Sequence, residues 1–347
     1  MPFHIILLLS CAVAIYFACE WFVNAIEWLG VRLKVGPLAV GTILAAAGTA
    51  FPESIVTLVA ILFGGKAQGA DIGVGAALGG PLVVGTLAYG LTGLMLLLRQ
   101  HQGRKAATLA IHQGIDTNDA ANPLDGTDTK RLARDQMWFL SIFVFKIALG
   151  LVAFAYKPWL GLLFFAAYAI YFAREIHGEK EQASAEDLEP LKMQPKRATP
   201  STFAVVAQTI LTLVIIFASS QLFVRQLEWA GPALGLSPVV VALLLSPVAT
   251  ELPEIMNAMI WVRQRKTELA LANISGAMMI QATIPSGIGI LLTPWTFDKP
   301  LILAGVATMA SVMYLLWLMR TDRVTPRRLT AAGAFYGLFV IGLVLTA

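Results

Sequence analysis

Two stretches of this 347-residue chain are versions of one another, and they decide the fold. Residues 22–54 read FVNAIEWLGVRLKVGPLAVGTILAAAGTAFPES, and residues 223–255 read FVRQLEWAGPALGLSPVVVALLLSPVATELPEI. At an offset of 201 positions, twelve residues of the first stretch recur unchanged in the second. Each copy places a Thr-x-x-Pro-Glu core inside an apolar run long enough to cross a bilayer. The chain therefore has two related halves.

The two cores each carry a glutamate at membrane depth, Glu53 and Glu254. An ionisable group inside a span is costly, so it marks a functional site unless it only links helices through hydrogen bonds. Thr49 and Thr250 lie four residues earlier, on the same helical face. The proline before each glutamate frees a backbone carbonyl. Carboxylate, hydroxyl and carbonyl oxygens are the ligands that hard cations prefer. We therefore predict one cation site shared by the two halves.

The composition indicates an integral membrane protein. Hydrophobic residues make up 57% of the chain and charged residues 13%, whereas soluble domains have about 45–50% apolar and about 25% charged residues. Apolar runs of about 20 residues predict ten helical spans, so the fold class is all-α. They are 3–28, 37–63, 71–98, 137–155, 157–174, 203–229, 237–262, 268–292, 299–319 and 328–346.

The distribution of Lys and Arg predicts the orientation. Twenty of them lie in the connections on one side of the ten spans and only three on the other side. The positive-inside rule places the basic side in the cytoplasm and both termini outside. The net charge of +4 is explained by these connections and needs no nucleic-acid partner. Lys146 and Arg225 remain within spans.

This topology makes the second half an inverted copy of the first, as in many secondary transporters. We expect two inverted five-helix repeats. The predicted division is spans 1–3 in 1–98, a cytoplasmic loop in 99–136, spans 4–5 in 137–174, a cytoplasmic linker in 175–202, spans 6–8 in 203–292 and spans 9–10 in 293–347.

Further residues extend this prediction. Glu251 lies three positions before Glu254 and can reach the same cavity. Gly75-x-x-x-Gly79 and Ala272-x-x-x-Gly276 are small-residue faces that allow helices to approach closely. Glu27 lies beside Trp28 near a span end, which favours anchoring at the membrane interface.

The two cores resemble those of the calcium/cation antiporter superfamily, which includes the Na⁺/Ca²⁺ exchangers. Its members carry a Gly-Thr-Ser-x-Pro-Glu core in each repeat and a Gly-Asn-x-x-Gly-Ser-Asn-type stretch on the following helix. The cores here read GTAFPE from Gly48 and ATELPE from Ala249. The resemblance implies that Glu53 and Glu254 are the central ion ligands, and that Thr49 and Thr250 supply further oxygens.

The sequence departs from the family pattern at the helix after each core. The family serine is Gly80 in one repeat and Ala277 in the other. The second-repeat acidic or amide ligand falls at Gln281, and its first-repeat counterpart is Val84, which cannot ligate. We hypothesise that Glu251 replaces the negative charge lost at Gln281.

The expected function is exchange of Ca²⁺, or a similar divalent cation, for Na⁺ by alternating access. Proton coupling and a non-transporting ion-binding protein are the alternatives. We expect no enzymatic activity and no cofactor beyond the transported cations, because nothing resembles a nucleophile–base pair, three of the four histidines lie outside the spans, and the chain has no Gly-x-x-x-x-Gly-Lys-Ser/Thr loop. The expected surroundings are inorganic cations and the bilayer of the plasma (inner) membrane; the sequence leaves the oligomeric state open.

Overall fold

The computed structural model of the chain describes residues 2–63, 68–112, 127–178, 188–233 and 244–346, together with Leu124 and Ala185. The described residues form helices and short connections. The first five helices are α1 (Pro2–Leu33), α2 (Pro37–Ala39, a π-helical segment Val40–Ala45, and Ala46–Phe63), α3 (Gln68–Val83, a π-helical segment Val84–Ala88, and Tyr89–His112), α4 (Thr129–Leu151) and α5 (Gly161–Gly178, after a 3₁₀ turn Lys157–Leu160). The others are α6 (Thr202–Ala233), α7 (Ser246–Thr250 and Leu252–Arg263), α8 (Thr267–Leu292), α9 (Lys299–Arg320) and α10 (Pro326–Thr346).

Seven helices in the described part of the chain are long and apolar enough to cross a membrane. They comprise α1, α6, α8, α9, α10 and parts of α3 and α5 with its preceding turn, and α2 adds a shorter apolar stretch, Pro37–Phe51. The prediction of an all-helical membrane protein is confirmed at this level. The number of ten spans and their arrangement as two repeats stay a prediction.

Two helices continue well beyond the predicted spans. The third extends to His112, and α4 begins at Thr129, so part of the polar connection 99–136 is helical. The side chain of Asp128 caps α4 by accepting hydrogen bonds from the amides of Lys130 (3.1 Å) and Arg131 (3.0 Å). Charged residues end an apolar span without ending a helix, so the hydrophobic pattern located the membrane part and not the helix boundary.

The eighth helix is the centre of the bundle and packs against α2, α3, α4, α5 and α7. It crosses α2 very closely. A Cβ added to Gly276 would lie 2.1 Å from the carbonyl oxygen of Thr42, and one added to Gly41 would lie 3.0 Å from the Cβ of Ala272. The predicted small-residue face on this helix is confirmed at Gly276. Gly75 differs, because a Cβ there meets nothing within 4 Å.

Glu27, whose position beside Trp28 predicts an anchor at the membrane interface, makes tertiary contacts inside the bundle. Its side chain is buried and joins α1 to the end of α7 and the start of α8. Its carboxylate accepts a hydrogen bond of 2.8 Å from Nε1 of Trp261 and pairs at 2.5 Å with Nζ of Lys266. A tertiary contact across 234 residues of sequence determines this arrangement, and local sequence could not show it.

Candidate functional site

The seventh helix breaks at Glu251. Its two segments end at Thr250 and restart at Leu252, and Glu251 between them has φ −84° and ψ 3°. Pro253 lacks the N–H that would bond to the carbonyl of Ala249, so a regular helix cannot pass through this point. The break turns the Glu251 side chain into the protein interior, where it is fully buried.

Glu251 meets Gln281 of α8 directly. The amide Nε2 of Gln281 donates to Oε2 of the carboxylate at 2.5 Å. Gly80 of α3 faces this pair, since a Cβ added there would lie 2.7 Å from Oε1 of Glu251 and 3.1 Å from the side chain of Gln281. Gly80 stands where the family has a serine. Because glycine has no side chain, the carboxylate of Glu251 and the amide of Gln281 can occupy this space.

A cavity of about 420 Å³ adjoins this pair. Oxygen-bearing side chains from both halves line it, together with small and apolar residues. The polar lining residues are Thr49, Ser54, Thr57, Ser220, Gln221, Ser246, Thr250, Glu251 and Gln281. Five of these residues were not predicted from the sequence: Ser54, Thr57, Ser220, Gln221 and Ser246. The spacing of eight between Thr49 and Thr57 on one helix is the signal that would have found one of them.

The cavity occupies the half of the bundle away from the basic connections. Leu301 and Ala304 in the first turns of α9, and Phe339 in the last turns of α10, line it. The connection that leads into α9 and the C-terminal end of α10 are both on the side of the bundle that is poor in Lys and Arg. In the predicted orientation, this half faces the outside.

The hydroxyl groups of the two predicted threonines donate hydrogen bonds to backbone carbonyl oxygens. Oγ1 of Thr49 donates to the carbonyl of Ala45 at 3.2 Å, and Oγ1 of Thr250 donates to the carbonyl of Pro247 at 3.1 Å. A hydroxyl whose proton is used in this way keeps oxygen lone pairs for another partner. Both residues line the cavity, so these lone pairs suit a cation there.

Glu254 lies one turn beyond Glu251, is fully buried, and is not among the residues at the cavity wall. Buried amides surround it: Nδ2 of Asn273 donates to the Glu254 carbonyl at 3.4 Å, and Asn257 lies one turn further along α7. Neither amide atom of Asn257, nor Oδ1 of Asn273, has a hydrogen-bond partner among the described residues. Unmatched buried polar atoms are rare, so this inner polar layer suits a further polar or cationic occupant.

Glu53 lies in α2, and its side chain falls outside what the structure describes. Of the other predicted site residues, Thr49, Thr250, Glu251 and Gln281 come together at the cavity, and Glu254 adjoins them from the inner side. Within the described part of the chain, no three His, Cys, Asp or Glu side chains converge on one point. The described donor set is thus mixed, with carboxylate, amide and hydroxyl oxygens, a composition that hard cations accept.

Hydrogen bonds close the bundle on the basic side of this site. Nε2 of Gln136 donates to the Tyr89 hydroxyl at 2.6 Å, and that hydroxyl lies 3.0 Å from Oγ of Ser275. These side chains, all buried, tie α3, α4 and α8 together. With the tight contact at Gly276, they separate the site from the basic connections.

The family assignment follows from comparison with known proteins. The model of the family described as "Sodium/calcium exchanger protein" matches residues 3–176 and 204–347. The chain belongs to this family. The resemblance drawn from the two cores is confirmed, and so is the expectation that the chain is not an enzyme, because exchangers of this family are membrane transporters.

Relatives and solved structures agree with that assignment. The chain is 22% identical over 290 residues to the putative antiporter CaxA of Alkalimonas amylolytica, covering 82% of this chain and 80% of the relative. It is 23% identical over 295 residues to the inner membrane protein YrbG of Escherichia coli K12, covering 84% and 81%. Its fold matches the sodium-calcium exchanger NCX_Mj soaked with 10 mM Na⁺ and no Ca²⁺, with a TM-score of 0.73, 16% identity and 98% of each chain covered. Family and fold together support a cation-exchange transporter in a membrane.

Proposed function

We propose that this exchanger moves Ca²⁺, or a similar divalent cation, in exchange for Na⁺ by alternating access. One observation carries the proposal: oxygens from both halves, Thr49 from the first and Thr250, Glu251 and Gln281 from the second, line one cavity at the break in α7. A cation held between two halves can be released to either side when the halves rock against each other.

The proposed architecture is ten spans in two inverted five-helix repeats, with both termini outside and the basic connections in the cytoplasm of a plasma (inner) membrane. The cavity on the side away from the basic connections then opens outward, and the Gln136–Tyr89–Ser275 hydrogen bonds form the inner closure. In this state, cations enter from outside.

Coupling arises from competition for the same oxygens. We propose that Glu53, Glu254 and Glu251 provide the negative charge, and that Thr49, Thr250 and Gln281 provide neutral oxygens. Either Ca²⁺ or the counter-ion neutralises the carboxylates before the halves rock, since moving uncompensated buried charge is costly.

The deciding experiment is uptake of ⁴⁵Ca²⁺ into proteoliposomes under an imposed Na⁺ gradient at fixed pH. Uptake that needs the Na⁺ gradient and is lost in Glu53→Gln supports the proposal. Uptake driven only by a pH gradient favours the alternative of proton coupling, for which the neighbouring acids Glu251 and Glu254 are suited because adjacent like charges favour protonation of one. Binding of ⁴⁵Ca²⁺ without counterflow would leave an ion-binding protein that does not transport.

A further inference from the structure

Lys146 is a fully buried lysine in the middle of α4. Its Nζ donates to the carbonyl oxygen of Ala77 at 2.7 Å and to Oγ of Ser286 at 3.1 Å. It also lies 4.5 Å from the centre of the Phe143 ring. The carbonyl oxygen, the hydroxyl oxygen and the face of the ring all carry partial negative charge, so together they form an environment that favours a cation.

The Ala77 carbonyl is available because of Pro81. Pro81 lies inside α3, four residues after Ala77, and has no N–H to complete the helical hydrogen bond. A carbonyl released in this way in the interior of a membrane protein needs another partner. Here the partner is the Lys146 ammonium, at a place where a bare Na⁺ would otherwise find carbonyl and hydroxyl oxygens.

A short chain of hydrogen bonds connects this ammonium to the candidate site. Oγ of Ser286 donates to the backbone carbonyl of Gln281 at 3.4 Å, and the side chain of Gln281 donates to Glu251. Three residues after Ala77, α3 presents Gly80 to that carboxylate. Lys146 of α4 therefore contacts α3 and α8, which are two of the helices that line the cavity. Its charge acts on the buried acids through a medium of low polarity.

We propose that Lys146 is a built-in cation that takes the place of one transported monovalent ion. The inference rests on the proposed exchange function and deepens it, because it concerns the number of Na⁺ ions moved for each Ca²⁺. With the ammonium present, the buried carboxylates have one fewer charge to be neutralised by mobile ions. Without it, the Ala77 carbonyl and the Ser286 hydroxyl are left for one more Na⁺.

The test replaces Lys146 and measures coupling in proteoliposomes. With a fixed Ca²⁺ gradient, the Na⁺ gradient that stops net ⁴⁵Ca²⁺ flux gives the number of Na⁺ exchanged per Ca²⁺. We expect Lys146→Met to exchange one more Na⁺ per Ca²⁺ than the unsubstituted protein, and one more elementary charge to cross the membrane per cycle. Lys146→Arg keeps the charge and should keep the original ratio.

Lys157→Met is the matched control. Lys157 is also buried, but its Nζ bonds to the carbonyls of Leu149 (3.3 Å), Val152 (2.8 Å) and Trp295 (3.2 Å) at the ends of helices, away from the cavity. Its removal should leave the ratio unchanged.

If a variant does not transport, the number of Na⁺ bound per chain is measured instead, by equilibrium binding of ²²Na⁺ to the purified protein. We expect Lys146→Met, or Lys146→Gln if the methionine variant does not fold, to bind one more Na⁺ per chain. An unchanged flux ratio, or an unchanged number of bound Na⁺ in the folded variant, overturns the inference. If the unsubstituted protein exchanges no Ca²⁺ for Na⁺, the proposed function itself has failed, which is a separate result.

Discussion

Nε2 of Gln281 lies 2.5 Å from Oε2 of Glu251, and this contact joins two of the positions at which the sequence departs from the family pattern. The amide stands where an acidic or amide ligand is expected, and the acid stands where a serine is expected. Their direct contact supports the hypothesis that the negative charge has moved from one helix to its neighbour and has stayed within the same site.

Glu251→Gln tests whether that charge is used. We expect the substitution to abolish exchange about as fully as Glu254→Gln, because each removes a buried carboxylate that compensates the cation. The measurement is ⁴⁵Ca²⁺ flux in proteoliposomes. Glu20→Gln is the control, since Glu20 lies at the bundle surface and pairs with Lys192 at 3.1 Å. Normal flux in Glu251→Gln would exclude the relocated carboxylate.

Gly80→Ala tests the space around the pair. Its added Cβ would lie 2.7 Å from Oε1 of Glu251, so the carboxylate and the Gln281 amide must shift. We expect the apparent affinity for Ca²⁺ to fall about tenfold or more, which corresponds to about 1.4 kcal/mol. Gly75→Ala on the same helix also borders the cavity, but a Cβ there meets nothing within 4 Å, so it should retain near-normal affinity. Equal effects of the two substitutions would contradict the site geometry.

Gly276→Ala tests the crossing of α2 and α8. A Cβ at Gly276 would lie 2.1 Å from backbone, the carbonyl of Thr42, which cannot move aside as a side chain can. Overpacking of this kind costs about 1–3 kcal/mol. We expect a lower melting temperature in detergent, measured by fluorescence-detected size exclusion after heating. Gly337→Ala, where the added Cβ meets nothing within 4 Å, should melt as the unsubstituted protein does.

Glu27→Gln tests the contact that fastens α1 to the basic end of α7. The substitution removes the ion pair with Lys266 and weakens the hydrogen bond from Trp261. We expect the bundle to open more often on that side, and Cys19, buried on the same helix with Sγ 3.9 Å from the Pro253 carbonyl, to react faster with a small maleimide. The background is Cys11→Ser, which leaves Cys19 as the remaining cysteine. As a control, Glu20→Gln should label at the same rate as the Cys11→Ser background. Equal labelling of Glu27→Gln and this background would show that the contact of Glu27 with Lys266 and Trp261 does not keep this side of the bundle closed.

The sequence by itself determined that this is a membrane protein, the approximate positions of its helices, and the two cores. These follow from local physics: an apolar run of sufficient length must be helical in a bilayer, and an acid beside a proline within such a run is conspicuous. It also determined the family, because the cores and their partner helices are short contiguous patterns.

Only the tertiary structure decided which polar groups meet. Gln281 and Glu251 are 30 residues apart, Glu27 and Trp261 are 234 apart, and Lys146 bonds to residues 69 and 140 positions away. The carboxylate of Glu251 reaches the cavity because the helix breaks at this residue and because glycine at position 80 leaves room for it. The next acid, Glu254, lies deeper. Side-chain direction at a helix break and the distance between crossing helices depend on packing across the whole bundle, and no local pattern specifies them.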